Sequence, residues 1–409
     1  MSCQRILPAA LVVIGLILFP AMSLGEAPKL TIVQTLKGGE DGLPKPFLIG
    51  YTIVLKGNFI YVGGNNISCF KRDVKTGKVT FMGEAADVIK SVTDAFPKSR
   101  KWSDKQRNTC IIKLVGNRLY AIPQWGTAMA WYDIDEQTGK LTEKGLVECK
   151  PCFHAVVSPD QKDLYLLTNP YARGPVKMTV TWYHLDGDGK PVNSGEVAGK
   201  GLGGSDQTPH DGLLQISPDG KYLYAISGRD QAIACLERKP SGEIAYKSTA
   251  DLSMIGMAEQ PDKPNIYAWA SLLLSPDGKW VYANLMKYAK PEYKNIGIFK
   301  RNPESGELTL QEAITGDKNV LGNRRGWQCV QFLPNGTGIL GHYDLGLWTF
   351  QYDAATGRLE NPAVIKETQG YKANVAYDLE NGFLYMGGVW IVEGGIQDGF
   401  RVLKMDVPK

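Results

Sequence analysis

The chain has 409 residues, and 46 Lys plus Arg against 42 Asp plus Glu leave a formal net charge of +4. Spread over that length, the surplus is too weak for a nucleic-acid binder, which carries a dense basic face. Apolar residues at 43% and charged residues at 22% exclude a disordered or collagen-like chain, while 46 glycines and 19 tyrosines favour an all-β fold built on turns and aromatic strands.

Residues 1–25 read as a signal peptide. Arg5 supplies the positive start, Ile6 to Phe19 a short apolar run, and Ser23-Leu24-Gly25 small residues for cleavage before Glu26. The apolar run is short for a membrane span, which needs about 20 residues. The expectation is an exported protein, periplasmic or extracellular, with no membrane span after cleavage and a mature domain of residues 26–409. Loss of Cys3 with the signal leaves Cys69, Cys110, Cys149, Cys152, Cys235 and Cys329. An even count permits disulfides in an exported protein, but a chain this long does not require them.

From there one unit recurs seven times: an apolar strand, a polar turn, and a second strand carrying an apolar-aromatic pair. The pairs are Ile60-Tyr61, Leu119-Tyr120, Leu164-Tyr165, Leu223-Tyr224, Val281-Tyr282, Ile339-Leu340 and Leu384-Tyr385, spaced 45 to 59 residues apart. Preceding turns read Ser158-Pro159-Asp160, Ser217-Pro218-Asp219-Gly220, Ser275-Pro276-Asp277-Gly278 and Leu333-Pro334-Asn335-Gly336. Pro presets φ at such a turn and Gly supplies the positive φ. A later hairpin signal, centred on Gly77, Gly139, Gly189, Gly242, Gly306 and Gly357, joins a third strand to a fourth. A four-stranded propeller blade takes about 40–50 residues, so the longer units carry insertions. The largest runs from Ala85 to Asn108, with a short helix over 86–95.

The seventh unit has no second hairpin, because the chain ends soon after its third strand, Phe400–Val407. At the other end, Leu30 to Leu36 is a strand without a partner in its own unit. Pairing the two closes the ring and removes two exposed edges. The fold expected is therefore an all-β, seven-bladed β-propeller closed by an N-terminal strand pairing into the last blade.

A propeller site is sought in the loops between blades and between second and third strands. These contain His154, His210 and His342, with Arg173, Arg229, Arg325 and Asp230. Convergent arginines hold carboxylate or phosphate in a bidentate fork, and histidine beside them passes protons near neutral pH. His184 is expected in an outer strand instead. Cys149-Lys150-Pro151-Cys152-Phe153-His154 departs from a haem attachment motif, which needs His directly after the second Cys. Zinc there lacks an evident fourth ligand, and a local disulfide or buried thiols are the favoured alternatives. The repeat sets Cys329 level with His154. No G-x-S-x-G or H-E-x-x-H motif occurs, and no cofactor is implied.

Pro209-His210 followed by Ile216-Ser217-Pro218-Asp219-Gly220-Lys221-Tyr222-Leu223-Tyr224-Ala225 resembles the lactonase-type seven-bladed propellers, the family of bacterial 6-phosphogluconolactonases and fungal carboxymuconate lactonising enzymes. Ser275 to Ala283 repeats the pattern. Asp133 to Leu141 and Tyr352 to Leu359 resemble the family's strand connection. The resemblance implies hydrolysis of a small sugar-derived or carboxylated lactone. His154 matches a family histidine at the start of an inner strand, His210 stands near another, and Gly228-Arg229-Asp230 resembles a family loop. Leu167-Thr168-Asn169-Pro170 replaces the family's acidic loop at blade three.

Two expectations follow. In the first, His154 or His210 is the general base, Arg229 and Arg325 orient an anionic or sugar-derived ligand, and Arg173, Asp230 and His342 complete the binding set. In the second, a non-catalytic propeller binds a protein or glycan through Trp125, Trp269, Trp327 and Trp390 on the same face.

Overall fold

The computed structural model describes residues 29–406 except 46, 48–51, 65, 97–109, 124–125, 169–177, 200–201, 203–212, 228–229, 256–268, 287–293, 316–326, 334–335, 343–345, 366–367, 369–370 and 393–394. It leaves undescribed the side chains of some strand residues, among them Trp269, Trp327, Cys329, His342, Lys372 and Trp390.

Seven four-stranded antiparallel sheets follow one another along the chain, and each is one blade. The inner strands are Ile53–Lys56, Cys110–Val115, Cys152–Val157, Leu214–Ile216, Trp269–Leu274, Trp327–Phe332 and Tyr371–Asp378. Inner and middle strands pack on both faces against neighbouring blades and are almost continuously buried, as at Phe59–Gly63 and Asp163–Thr168. Outer strands such as Leu141–Glu148 are largely exposed beyond their first residue. The helix, Val88–Ala95, begins two residues later than the sequence suggests because Asp87 caps it, accepting from the Lys90 N–H at 2.9 Å. Val88 and Val92 anchor it in the core shared by blades one and two. Among the described residues no helix is long and apolar enough to cross a membrane.

The recurring tyrosine has a physical cause. The hydroxyls of Tyr61, Tyr120, Tyr165, Tyr224 and Tyr282 donate to the carbonyls of Gly139, Gly189, Gly242, Gly306 and Gly357 at 2.7–2.9 Å. Each acceptor lies in the last turn of the next blade. Two residues before each tyrosine stands a side chain that occupies the space a glycine Cβ would need: Phe59 against Gly139, Tyr222 against Gly306, Trp280 against Gly357. The periodicity in the sequence is thus a seam between blades. Arginines reinforce three seams. Arg72 pairs with Asp378 at 2.5 Å, Arg301 with Asp219 at 2.6 Å, and Arg238 with Asp160 and Asp163 at 2.8 and 2.5 Å.

Blade six breaks the pattern, carrying Gly338 and Leu340 where the other blades carry a larger side chain and tyrosine. Its neighbour, blade seven, has no final turn to receive them. The strand Lys29–Lys37 instead pairs with Gly395–Asp406, from Lys29 opposite Asp406 to Lys37 opposite Gly399. The ring closes as the sequence implies, although the third strand starts at Gly395 rather than Phe400. Leu30 packs with Leu333, Ile339, Leu384 and Leu403, so the closing strand seals the seam between blades six and seven with apolar contact.

Candidate functional site

The glycine turns and arginine clasps occupy one end of the ring. At the other end the strands change character. The inner strands are mostly apolar toward the turns, but polar side chains appear toward the opposite mouth: His154, Ser271 and Asn374. Middle strands add Thr168, Ser227 and Asn284, and all six are buried. Buried polar groups are destabilising unless hydrogen-bonded, and several bonds are plain. Thr168 Oγ1 lies 2.9 Å from Thr179 Oγ1 and 3.2 Å from Thr181 Oγ1. Ser227 Oγ accepts the Asp230 N–H at 3.0 Å. This group of buried polar side chains, at the mouth opposite the arginine clasps, marks the candidate site.

His154 is the third residue of its inner strand, just past an irregularity between Cys152 and His154. Its ring hydrogen-bonds the backbone of Leu214 on the blade-four inner strand. Burial, with a smaller push from the Lys113 charge, lowers its pKa from 6.5 to about 3. The imidazole is therefore neutral at any ordinary pH. Because the folded pKa lies below the unfolded one, burial is without penalty above pH 6.5 and becomes destabilising as pH falls toward 3. We expect His154→Leu to remove about 3 kcal/mol of the stability difference between pH 6.5 and pH 4. Urea unfolding at the two pH values checks this, and an unchanged acid dependence would refute it.

The neighbouring thiols are inert. Cys110, Cys149 and Cys152 are free and buried. Burial raises Cys152 to about 12 and lifts the other two as well. The Cys152 thiol donates to the His154 carbonyl at 3.1 Å. Of the sequence alternatives, buried thiols are what the structure holds. Among the described residues no three His, Cys, Asp or Glu side chains group as a metal site.

The other expected site residues divide. Asp230 is half-buried in the turn after the middle strand of blade four. His342 ends the middle strand of blade six, in register with Trp327. Cys329 pairs with Gly341 in the blade-six inner strand. His210, Arg173, Arg229, Arg325 and Trp125 lie outside the described residues. His184 is on the third strand of blade three rather than the outer one, with Nδ1 2.9 Å from Asp163 Oδ1 at the clasp end.

Sequence reasoning missed Ser271, Asn284, Asn374 and Lys113. Lys113 is half-buried on the blade-two inner strand, and its charge is felt at His154 and Cys152. Its signal was available as the single charge inside Cys110-Ile111-Ile112-Lys113-Leu114-Val115.

Comparison with known proteins finds similarity to lactonase-like propellers. A family described as lactonase, 7-bladed beta-propeller, matches residues 101–252, which span blades two to four. A Bacteroides uniformis protein assigned as a 6-phosphogluconolactonase is 18% identical, with 79% of this chain and 86% of that one covered at a TM-score of 0.55. The periplasmic gluconolactonase of Pseudomonas aeruginosa is 15% identical over 75% and 81%, at 0.49. The Cps50 (Swd1) propeller domain of Myceliophteria thermophila is 12% identical over 93% and 100%, at 0.52. At such identities the two likenesses above a TM-score of 0.5 speak for the fold alone. No curated protein matches the chain.

Proposed function

We propose that this chain, a lactonase-like seven-bladed β-propeller, hydrolyses a small sugar-derived or carboxylated lactone at the polar mouth of its ring. The observation that carries the reading is the group of buried polar side chains at that mouth, His154, Ser271 and Asn374 on inner strands with Thr168, Ser227 and Asn284 on middle strands. The matched family region supports it, since it contains His154, Arg173, His210, Arg229 and Asp230.

In this reading Arg229 and Arg325 draw in the ligand and polarise the lactone carbonyl, and Arg173, Asp230 and His342 hydrogen-bond the rest of it. Water attacks the carbonyl carbon while a base takes its proton. The ring oxygen then leaves, the proton returns to it, and a hydroxy acid results. A neutral imidazole with a pKa of about 3 accepts protons poorly at neutral pH. We therefore give the base role to His210 and keep His154 as a fixed wall of the site, tied to Leu214. The apolar run Ile6 to Phe19 after Arg5 supports export of the mature protein from residue 26.

The test is hydrolysis of a panel of sugar and aliphatic lactones by the mature protein, with His154→Ala and His210→Ala beside it. We expect turnover that falls at least 100-fold in His210→Ala. An acid limb near pH 3 to 4 would return the base role to His154. No turnover on any lactone would defeat the hydrolase reading.

A further inference from the structure

Among the described residues, four other than glycine adopt a left-handed backbone: Asp41, Gln161, Gln231 and Asn361. Asp and Asn reach that region readily, because a short polar side chain bonds locally there. Glutamine has no such help, so the two glutamines need a separate reason. For Gln161 the reason is visible. It stands at the clasp end, in the turn position where blades four and five carry Gly220 and Gly278, and its Oε1 accepts the Gly116 N–H of blade two at 3.0 Å.

Gln231 stands at the opposite end, in the turn between the middle strand of blade four, Tyr222–Ser227, and the third strand, Ala232–Arg238. Its φ is +47°, and such strain persists only where neighbours over-determine the backbone. Two neighbours do so. The Gln231 carbonyl accepts the N–H of buried Leu252 at 2.8 Å. The buried Ser227 hydroxyl accepts the N–H of Asp230, the preceding residue, at 3.0 Å. What these contacts fix is the backbone on both sides of the Asp230 side chain.

We propose that Ser227 and Gln231 are positioning residues, which hold this turn in one shape so that the Asp230 carboxylate is set for the ligand before it arrives. A carboxylate accepts hydrogen bonds from the hydroxyls of a sugar-derived lactone. A turn already ordered loses no further conformational freedom when it does so. The pre-formed turn follows from the geometry, while the ligand of Asp230 rests on the hydrolase reading. The strain at Gln231 is thus retained for binding, and relieving it loosens the site without weakening the fold.

The experiment compares the mature protein with Ser227→Ala, Ser227→Thr, Gln231→Gly, Gln231→Asn and Asp230→Ala. Exchange of the Asp230 amide proton is followed by NMR, gluconolactone serves for steady-state kinetics, and urea unfolding reports stability. We expect amide exchange about 10-fold faster in Ser227→Ala and in Gln231→Gly. In both, and in Asp230→Ala, KM should rise about fivefold while kcat holds. Ser227→Thr keeps the hydroxyl and Gln231→Asn tolerates the left-handed backbone, so both should match the parent. Gln231→Gly should unfold at no lower urea concentration than the parent, because glycine adopts φ +47° freely. A turn with only a structural role would tie binding to stability, so a higher KM without lost stability separates the two roles. If Ser227→Ala fails to fold, Gln231→Gly carries the test alone. Parent-like exchange in Gln231→Gly overturns the pre-formed turn, and a parent-like KM in Gln231→Gly or Asp230→Ala overturns its purpose. If exchange responds as expected but the parent opens no lactone, the pre-formed turn stands and the hydrolase reading falls.

Discussion

Replacing Gly306 with Val should destabilise the protein by about 4 kcal/mol or more, enough to unfold many domains of ordinary stability. Two independent effects combine there. The residue sits at φ +72°, in the left-handed region where a side chain costs roughly 1–2 kcal/mol. A Cβ would also lie 2.4 Å from Cδ1 of the Tyr222 ring, which cannot give way because it is buried in the seam between blades four and five. Shifting the turn to relieve the clash would pull the Gly306 carbonyl from the Tyr224 hydroxyl, now 2.8 Å away. Gly57 supplies the control. Its φ is +53°, yet nothing lies within 4 Å of its would-be Cβ. Gly57→Ala should therefore show the backbone cost alone, about 1 kcal/mol, and Gly306→Ala clearly more. Midpoints of urea unfolding decide the matter. If the two alanine variants are equally stable, the seam is not sterically closed at the glycine.

Asp163→Ala should cost about 3–5 kcal/mol, since it leaves a buried cation short of a partner. Asp163 is 2% exposed and lies 2.5 Å from the Arg238 guanidinium and 2.9 Å from His184 Nδ1. Arg238 also donates to the Tyr165 hydroxyl at 2.7 Å, and that hydroxyl in turn donates to the Gly242 carbonyl at 2.9 Å. One carboxylate therefore anchors a chain of bonds joining blades three and four. The exposed pair Arg358–Glu312, at 3.1 Å, is the contrast, and Glu312→Ala should change stability by less than about 1 kcal/mol. The contrast is measured by urea unfolding at low and high salt. A loss at Asp163 no larger than that at Glu312 would show that the clasp does not hold the seam.

The blade count was legible because its signals are local. A Pro-Asp-Gly turn or a Thr-Gly-Lys turn dictates backbone shape within a few residues, and apolar runs between them declare strands. Closure was legible for a similar reason: a missing final turn in blade seven and an unpartnered strand at residues 30–36 call for each other. The reason for the tyrosines was not legible. Tyr224 and its acceptor Gly306 are 82 residues apart, and only packing of adjacent blades brings them together. The start of the last third strand was also missed, because Gly395-Ile396-Gln397-Asp398-Gly399 lacks strand-forming character and is drawn into the sheet by pairing with Val389 to Val392.

The candidate site divides along the same line. The chain order alone located His154 at the head of an inner strand, since its distance from the Ser158 turn measures its height in the blade. Its charge state depends on burial by blade four and on Lys113 of blade two, neither of which is near it in sequence. The Cys149 and Cys152 spacing left several chemistries open, and close packing of three thiols in an apolar region decided for protonated, unbridged sulfur. What the sequence determined by itself is the architecture, because a repeated local instruction needs no distant partner to be read. What only the tertiary structure decided is which polar side chains share one mouth and in which protonation state, because desolvation and electrostatics are set by neighbours contributed from different blades.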